Sequence, residues 1–304
     1  MSGLTSRAAG TALGLAAARF LGEPPSGWHP VARYGSLMTA LEGRLWRDDR
    51  RAGAAYAAVG VTVGMVAGRL IGSTATVVEV AAAGRELRRV ATDVGARLDA
   101  GDLDEARRRL PALVGRDPSG LDESGIAAAV IESVAENSVD AVVGTIVWGV
   151  VAGAPGAAAH RAINTMDAMV GHRSERYRRF GTAAARLDDA ANWVPARLFA
   201  VALVAARPER ARAIADAVRS DAGRHPSPNA GVAEAAMAGA LGVRLGGPLR
   251  YGDREEVRPA LGTGPRPSAD DVAEAIELVD RVEQLLLAAL VAVAAVGALS
   301  QRRR

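Results

Sequence analysis

From Ala52 to Gly72 the chain runs apolar, and the first charge it meets is Arg69. A stretch of about 20 such residues is long enough to cross a bilayer as a helix. Its setting is helical too: alanine, leucine and arginine dominate, and alternating β-branched residues are scarce. Further apolar stretches cover Val139–Ala159, Leu198–Ala206 and Leu285–Leu299, the last leading into Arg302, Arg303 and Arg304. With the N-terminal run Ala8–Ala18, they predict an all-α, polytopic helical membrane protein with four or five membrane-associated helices in a single domain, 1–304. A soluble helical protein with an alanine-rich core fits less well, because neither Ala52–Gly72 nor Leu285–Leu299 has a polar face.

Composition removes several functions. Aromatic residues are 4% of the chain, too few for a nucleic-acid stacking platform, so no nucleic-acid partner is expected. There is no lysine, so arginine carries all the positive side-chain charge and a Walker A loop is excluded. There is no cysteine, which removes disulfides, thiolate metal sites and a cysteine nucleophile. Arg19 interrupts the first apolar run and no small-residue cleavage site follows, so no cleavable signal is expected.

Two stretches stand apart. Residues 84–122 carry Arg85, Glu86, Arg88, Arg89, Asp102, Asp104, Glu105, Arg107, Arg108 and Arg109, the pattern of a solvated helical insertion with an acidic start at Asp102–Glu105. The positive-inside rule puts this stretch and the arginine-rich C-terminus in the cytoplasm. Residues 244–270 are rich in Gly and Pro and read as a loop, a lid or a connection to the last helix.

Polar residues crowd between Glu132 and Arg197, inside otherwise apolar sequence. Such groups are costly at depth unless they pair or meet a ligand. Glu132, Glu136 and Asp140 are spaced i, i+4, i+8, which stacks three carboxylates on one helix face. A divalent cation, a cationic substrate or arginines from elsewhere would relieve the repulsion. Asn164 and Asp167 are spaced i, i+3. Arg173, Arg176, Arg178 and Arg179 surround Tyr177 and suit phosphate or carboxylate, with lipid headgroups as the alternative. Arg186, Asp188, Asp189, Asn192 and Arg197 follow; Asp188 and Asn192 share a face, and Asp188 and Asp189 cannot both point into one site. Asn229, after His225-Pro226-Ser227-Pro228, is placed to cap a helix that carries Glu234. His29, before Pro30, is expected to be structural, and His160, His172 and His225 show no metal-ligand spacing.

The order of these pieces resembles the CobD/CbiB family, the adenosylcobinamide-phosphate synthases of cobalamin (vitamin B12) biosynthesis. The matching stretches are Gly22-Glu23-Pro24, Trp28-His29-Pro30, Gly115-Arg116-Asp117, Glu132 to Asn137 with Asp140, and Asn164 to Asp167. They continue with Met169-Val170-Gly171, Glu175-Arg176-Tyr177, Phe180-Gly181, Ala185 to Asp189, Asn192 to Arg197, and Pro228 to Gly231. Departures are mild: Glu23 stands where aspartate is usual, Ala168 where serine is, His172 where tyrosine is.

The resemblance implies a multi-pass enzyme of the cell membrane with its active site facing the cytoplasm. It implies a ligase that joins adenosylcobyric acid to 1-amino-2-propanol or its O-phosphate, giving the corrinoid adenosylcobinamide or its phosphate. Making an amide from a carboxylate is uphill in water, so ATP as co-substrate and Mg²⁺ are expected. On that basis Glu132, Glu136, Asp140 and Asp167 are expected at the metal. Glu136, Asp188 and Asp189 are expected in catalysis, with Asp188 or Asp189 as the base. Asn137, Asn164, Arg173, Arg176, Tyr177, Arg186, Asn192, Arg197 and Asn229 are expected at substrate and phosphate. A homodimer, or association with other corrinoid-pathway enzymes, is the default assembly. A membrane transporter and a non-catalytic scaffold are the rival classes; the one predicts vesicle-dependent activity, the other indifference to carboxylate substitutions.

One conflict is visible at this level. If Val139–Ala159 spans the bilayer, Glu132 and Arg176 fall on opposite sides, yet ATP is available only inside. Gly153-Ala154-Pro155-Gly156 is therefore expected to break the helix into a re-entrant or hairpin element.

Overall fold

The computed structural model describes residues 2–22, 29–115, 117–172, 174–251 and 254–302, the side chains of 2, 248–257, 301 and 302 excepted. Glu23, Pro24, Trp28, Arg116 and Arg173, which carry parts of the expected motifs, lie outside the described residues. Thirteen α-helices dominate: α1 Ser2–Leu21, α2 Pro30–Leu45, α3 Arg50–Ile71, α4 Thr74–Ala81, α5 Gly84–Asp99, α6 Leu103–Arg109, α7 Glu123–Ser138, α8 Gly144–Met166, α9 Thr182–Ala191, α10 Trp193–Ala206, α11 Ala211–Asp221, α12 Ala230–Leu241 and α13 Ala269–Arg302. Within the expected loop 244–270 lies an antiparallel hairpin of β1 Leu245–Tyr251 and β2 Arg254–Leu261, the only strands among the described residues. Gly246 and Gly247, at φ 80° and 117°, take the irregular step in β1 that no side-chain-bearing residue adopts easily.

The all-α membrane class holds. Among the described residues three helical stretches, Arg50–Ile71, Glu123–Gly171 and Ala269–Ser300, are long and apolar enough to cross a membrane. A fourth is added if α9 and α10, bent by 41°, form one span, and this takes in the short Leu198–Ala206 run. The N-terminal helix α1 does not join the set. Where one domain was expected, the chain divides into two compact units, each made of separate stretches.

The first unit comprises residues 1–85, 140–195 and 287–304. Its longest contact is α3 against α8, and glycines make it close. A Cβ on Gly64 would lie 2.7 Å from that of Ala162, and one on Gly68 would collide with the Ala154 carbonyl oxygen. Gly60, Gly64 and Gly68 thus form a ridge of small residues four apart, which lets two apolar helices approach backbone to backbone.

The helix α8 is not straight. Gly153 has φ 67° and ψ −151°, a conformation essentially reserved for glycine, and Pro155 follows. Beyond it the chain turns back. Gly144 and His160 would stand about 24 Å apart on a straight helix, at 1.5 Å per residue. Here a Cβ on Gly144 would collide with the His160 ring. The segment is therefore a helical hairpin folded at Gly153, as the Gly-Ala-Pro-Gly sequence predicts. Each arm is about 20 Å long, short of the roughly 30 Å hydrocarbon core, a length that suits a re-entrant element rather than a crossing one. Single-cysteine variants at Asp140 and Ala168, in a chain with no cysteine of its own, are expected to react with an impermeant maleimide from the same face of sealed vesicles. Labelling from opposite faces would mean a continuous span.

Both ends of the hairpin are wound more widely than an α-helix. Val139–Val143 and Asp167–Gly171 are π-helical turns, holding Asp140 and Asp167. Such turns break the α-helical register and recur at functional sites.

The second unit comprises residues 86–139 and 196–286. Its core is α7 and α12, buried along nearly their whole lengths. Asp122 caps α7, accepting from Gly125 N–H at 2.7 Å. The charged stretch 84–122 forms α5, α6 and a short 3₁₀ turn, with exposed pairs such as Glu86–Arg89 and Asp104–Arg107 that contribute little to stability. One of its charges is not solvated: Arg88 bonds the buried Glu283 and lies 3.2 Å from Asp280.

Candidate active site at the base of the hairpin

In the first unit the side-chain amide of Asn192, fully buried, gathers the open end of the hairpin. Its Nδ2 donates to Asp140 Oδ1 at 3.0 Å and to Asp188 Oδ2 at 3.1 Å. Its Oδ1 lies 2.8 Å from His160 Nε2. Because the amide nitrogen serves both carboxylates, the amide oxygen accepts from the imidazole, and His160 carries its proton on Nε2. Two carboxylates on one neutral donor remain mutually repulsive, and further positive charge is favoured beside them.

Asp189, next in sequence on α9, turns elsewhere as helical spacing requires. It lines a cavity of about 280 Å³ with Gly171, His172, Tyr177, Arg178, Thr182, Ala185 and Arg186. A cavity with two exposed guanidiniums and one carboxylate suits a small molecule that carries both an anionic and a cationic group.

Arg176 and Tyr177, expected at phosphate, are held differently. Arg176 Nη2 donates to the buried Glu42 at 3.0 Å and Tyr177 Oη donates to the same Oε1 at 2.8 Å. The Arg176 guanidinium also stacks 4.4 Å from the Trp46 ring centre. The pair clamps the 174–181 turns to the end of α2, so Arg176 already has a carboxylate partner. Burial, with the hydrogen bond to Glu42 adding to it, pushes the Tyr177 phenol above its ordinary value. A raised folded value means that its stabilisation is complete below about pH 10 and lost as pH climbs through the folded value. The melting temperature of the wild-type protein is expected to exceed that of Tyr177→Phe at pH 7.5. That difference should disappear in scans above pH 10; a difference unchanged there would refute the clamp.

Asn164 Oδ1 is 3.4 Å from Arg161 Nη1, on the returning arm. The Asp167 carboxylate lies against Gly171, where a Cβ would collide with it.

The remaining expected residues belong to the second unit. Glu132, 2% exposed, accepts from Gly246 N–H at 2.8 Å. Glu136 is partly buried, and Asn137 donates to Ser133 O at 2.8 Å on its own helix. Contrary to expectation, Asn229 makes no capping bond to α12 with its side chain; its Oδ1 accepts from Arg197 Nη1 at 3.0 Å. The Ser227 hydroxyl accepts from the Asn229 and Ala230 N–H groups instead. Glu234 is 1% exposed and lies 3.6 Å from Arg258 Nη1, which also bonds His225 Nε2 at 2.6 Å. His29 caps α2, its Nδ1 accepting from Val31 N–H at 3.3 Å.

Among the described residues no three acidic or histidine side chains converge as a metal centre. Magnesium does not require such a cage. It binds through one or two carboxylates and completes its shell with water and substrate phosphates, and the all-oxygen pair Asp140 and Asp188 fits that need. His160 and Gly144 were missed as site residues; the signal for both was the predicted hairpin itself, which pairs positions on its opposite arms.

Helices long and apolar enough to cross a membrane, with a helical hairpin that gathers two carboxylates at its open end, define the class as a polytopic helical membrane protein. Residues 11–279 match the family model described as CobD/Cbib protein. The chain is 45% identical over 288 residues to the cobalamin biosynthesis protein CobD of Mycobacterium tuberculosis (strain CDC 1551 / Oshkosh), covering 90% of this chain and 91% of that one. It is 46% identical over 271 residues to that of Rhodobacter capsulatus, covering 83% and 85%, and 39% identical over 297 residues to that of Klebsiella pneumoniae, covering 90% and 93%. The chain therefore belongs to the CobD/CbiB family. No solved structure matches it.

Proposed function

We propose that this protein acts in cobalamin biosynthesis as an ATP-dependent ligase of the cell membrane, joining adenosylcobyric acid to 1-amino-2-propanol or its O-phosphate. The observation that carries the reading is the meeting of Asp140 and Asp188 on Asn192 at the open end of the hairpin, with Asp189 turned into the arginine-lined cavity. In the proposed reaction a corrin carboxylate attacks the γ-phosphorus of ATP, giving an acyl phosphate and ADP. The amine then attacks the acyl carbon, and inorganic phosphate leaves as the amide forms.

The residues divide that work. Asp140 and Asp188 would hold Mg²⁺, which when bound neutralises phosphate charge. Arg178 and Arg186 offer charge to a phosphate in the cavity, as Arg176, already paired with Glu42, does not. Of the two candidate bases, Asp189 lines the cavity. It takes the proton that the ammonium must lose before attack. Asp189→Asn is expected to lower kcat by about 10²-fold, while Arg186→Ala raises KM for the phosphorylated amine more than it lowers kcat. Product formation unchanged in both variants would remove the cavity from the mechanism.

A further inference from the structure

Resting on the reading above, we propose that His160 is a positioning residue for the ligase. It holds the Asn192 side chain so that the amide N–H groups keep Asp140 and Asp188 turned to one point. The chain of bonds runs one way: His160 Nε2–H to Asn192 Oδ1, then Asn192 Nδ2–H to both carboxylates. Each bond polarises the next, so the donor at the far end strengthens the grip on the carboxylates.

The packing is built for this. His160 is 1% exposed and Asn192 0%. The ring lies against the backbone of Gly144 on the opposite arm, where any larger residue would displace it. The same residue therefore senses both arms of the hairpin: it stands on one, packs on the other, and bonds the residue that ties the second to α9. Without its donor the buried Asn192 carbonyl is left unsatisfied, and the amide can regain a partner only by moving off the carboxylates.

Two readouts test this. In kinetics, His160→Met, which keeps bulk without a donor, is expected to lower kcat about 30-fold with KM within about threefold, and His160→Gln, which restores an N–H, to recover most of the loss. In thermal unfolding, which needs no turnover, His160→Met and Asp140→Ala are combined. Two residues coupled through a shared partner should lose less together than the sum of their separate melting-temperature shifts. The same cycle in an Asn192→Ala background should become additive. Additive shifts with Asn192 present, or no rescue by Gln, would overturn the proposal. Coupled shifts in a protein that forms no product would leave the relay standing and remove the ligase reading instead.

Discussion

Asp140→Asn should fold and remain in the membrane but lose product formation by about 10²-fold or more. The argument is local. Asp140 sits in a π turn at the end of the hairpin, and its Oδ1 takes an N–H from Asn192 that is shared with Asp188. Asparagine keeps the size but removes one of two negative charges, and with it the reason for a cation to bind there. Its own amide can still turn an oxygen toward Asn192, so stability should change little. The contrast is Asp167→Asn. Asp167 was expected beside Asp140 at the metal, yet its carboxylate rests on Gly171, and its loss should cost less than about tenfold. Equal losses would return Asp167 to the metal. Full activity and unchanged Mg²⁺ dependence of Asp140→Asn would remove the metal role.

Replacing Gly153 by valine should have the largest effect on folding. The φ of 67° and ψ of −151° are closed to a β-branched residue, at a cost of order 1–3 kcal/mol for the backbone alone. Any Cβ would also meet Arg7 and Thr74 at 3.3 Å. The chain can escape only by straightening α8, which separates Gly144 from His160 and empties the site. Detergent-purified Gly153→Val should therefore be recovered poorly and melt well below wild type. Gly68→Leu, which drives a side chain into the Ala154 carbonyl next to the bend, should behave alike. Normal yield and melting temperature in both would contradict the hairpin.

These two positions show what was legible in sequence. Gly153 and Pro155 announce a break because their backbone demands are intrinsic, and ATP on one side of a membrane requires the chain to return. The long apolar runs, the charged stretch 84–122 and the divergence of Asp188 from Asp189 follow from periodicity. The β-hairpin at 245–261 escaped because glycine and proline mark a turn without marking what flanks it. The π turns escaped because winding responds to packing, not to local composition. Arg176 was placed at phosphate because sequence cannot reveal that Glu42, more than a hundred residues earlier, takes its charge. His160 was set aside because only folding brings it to Asn192.

The central claim is that this membrane protein forms an amide at the expense of ATP. Its most direct test is mass spectrometry of a detergent-purified reaction with adenosylcobyric acid, aminopropanol O-phosphate, ATP and Mg²⁺. The account predicts a product with the mass of adenosylcobinamide phosphate, formed only with ATP and matched by ADP and phosphate. Absence of product with either the phosphorylated or the free amine, from protein that melts cooperatively, would contradict it.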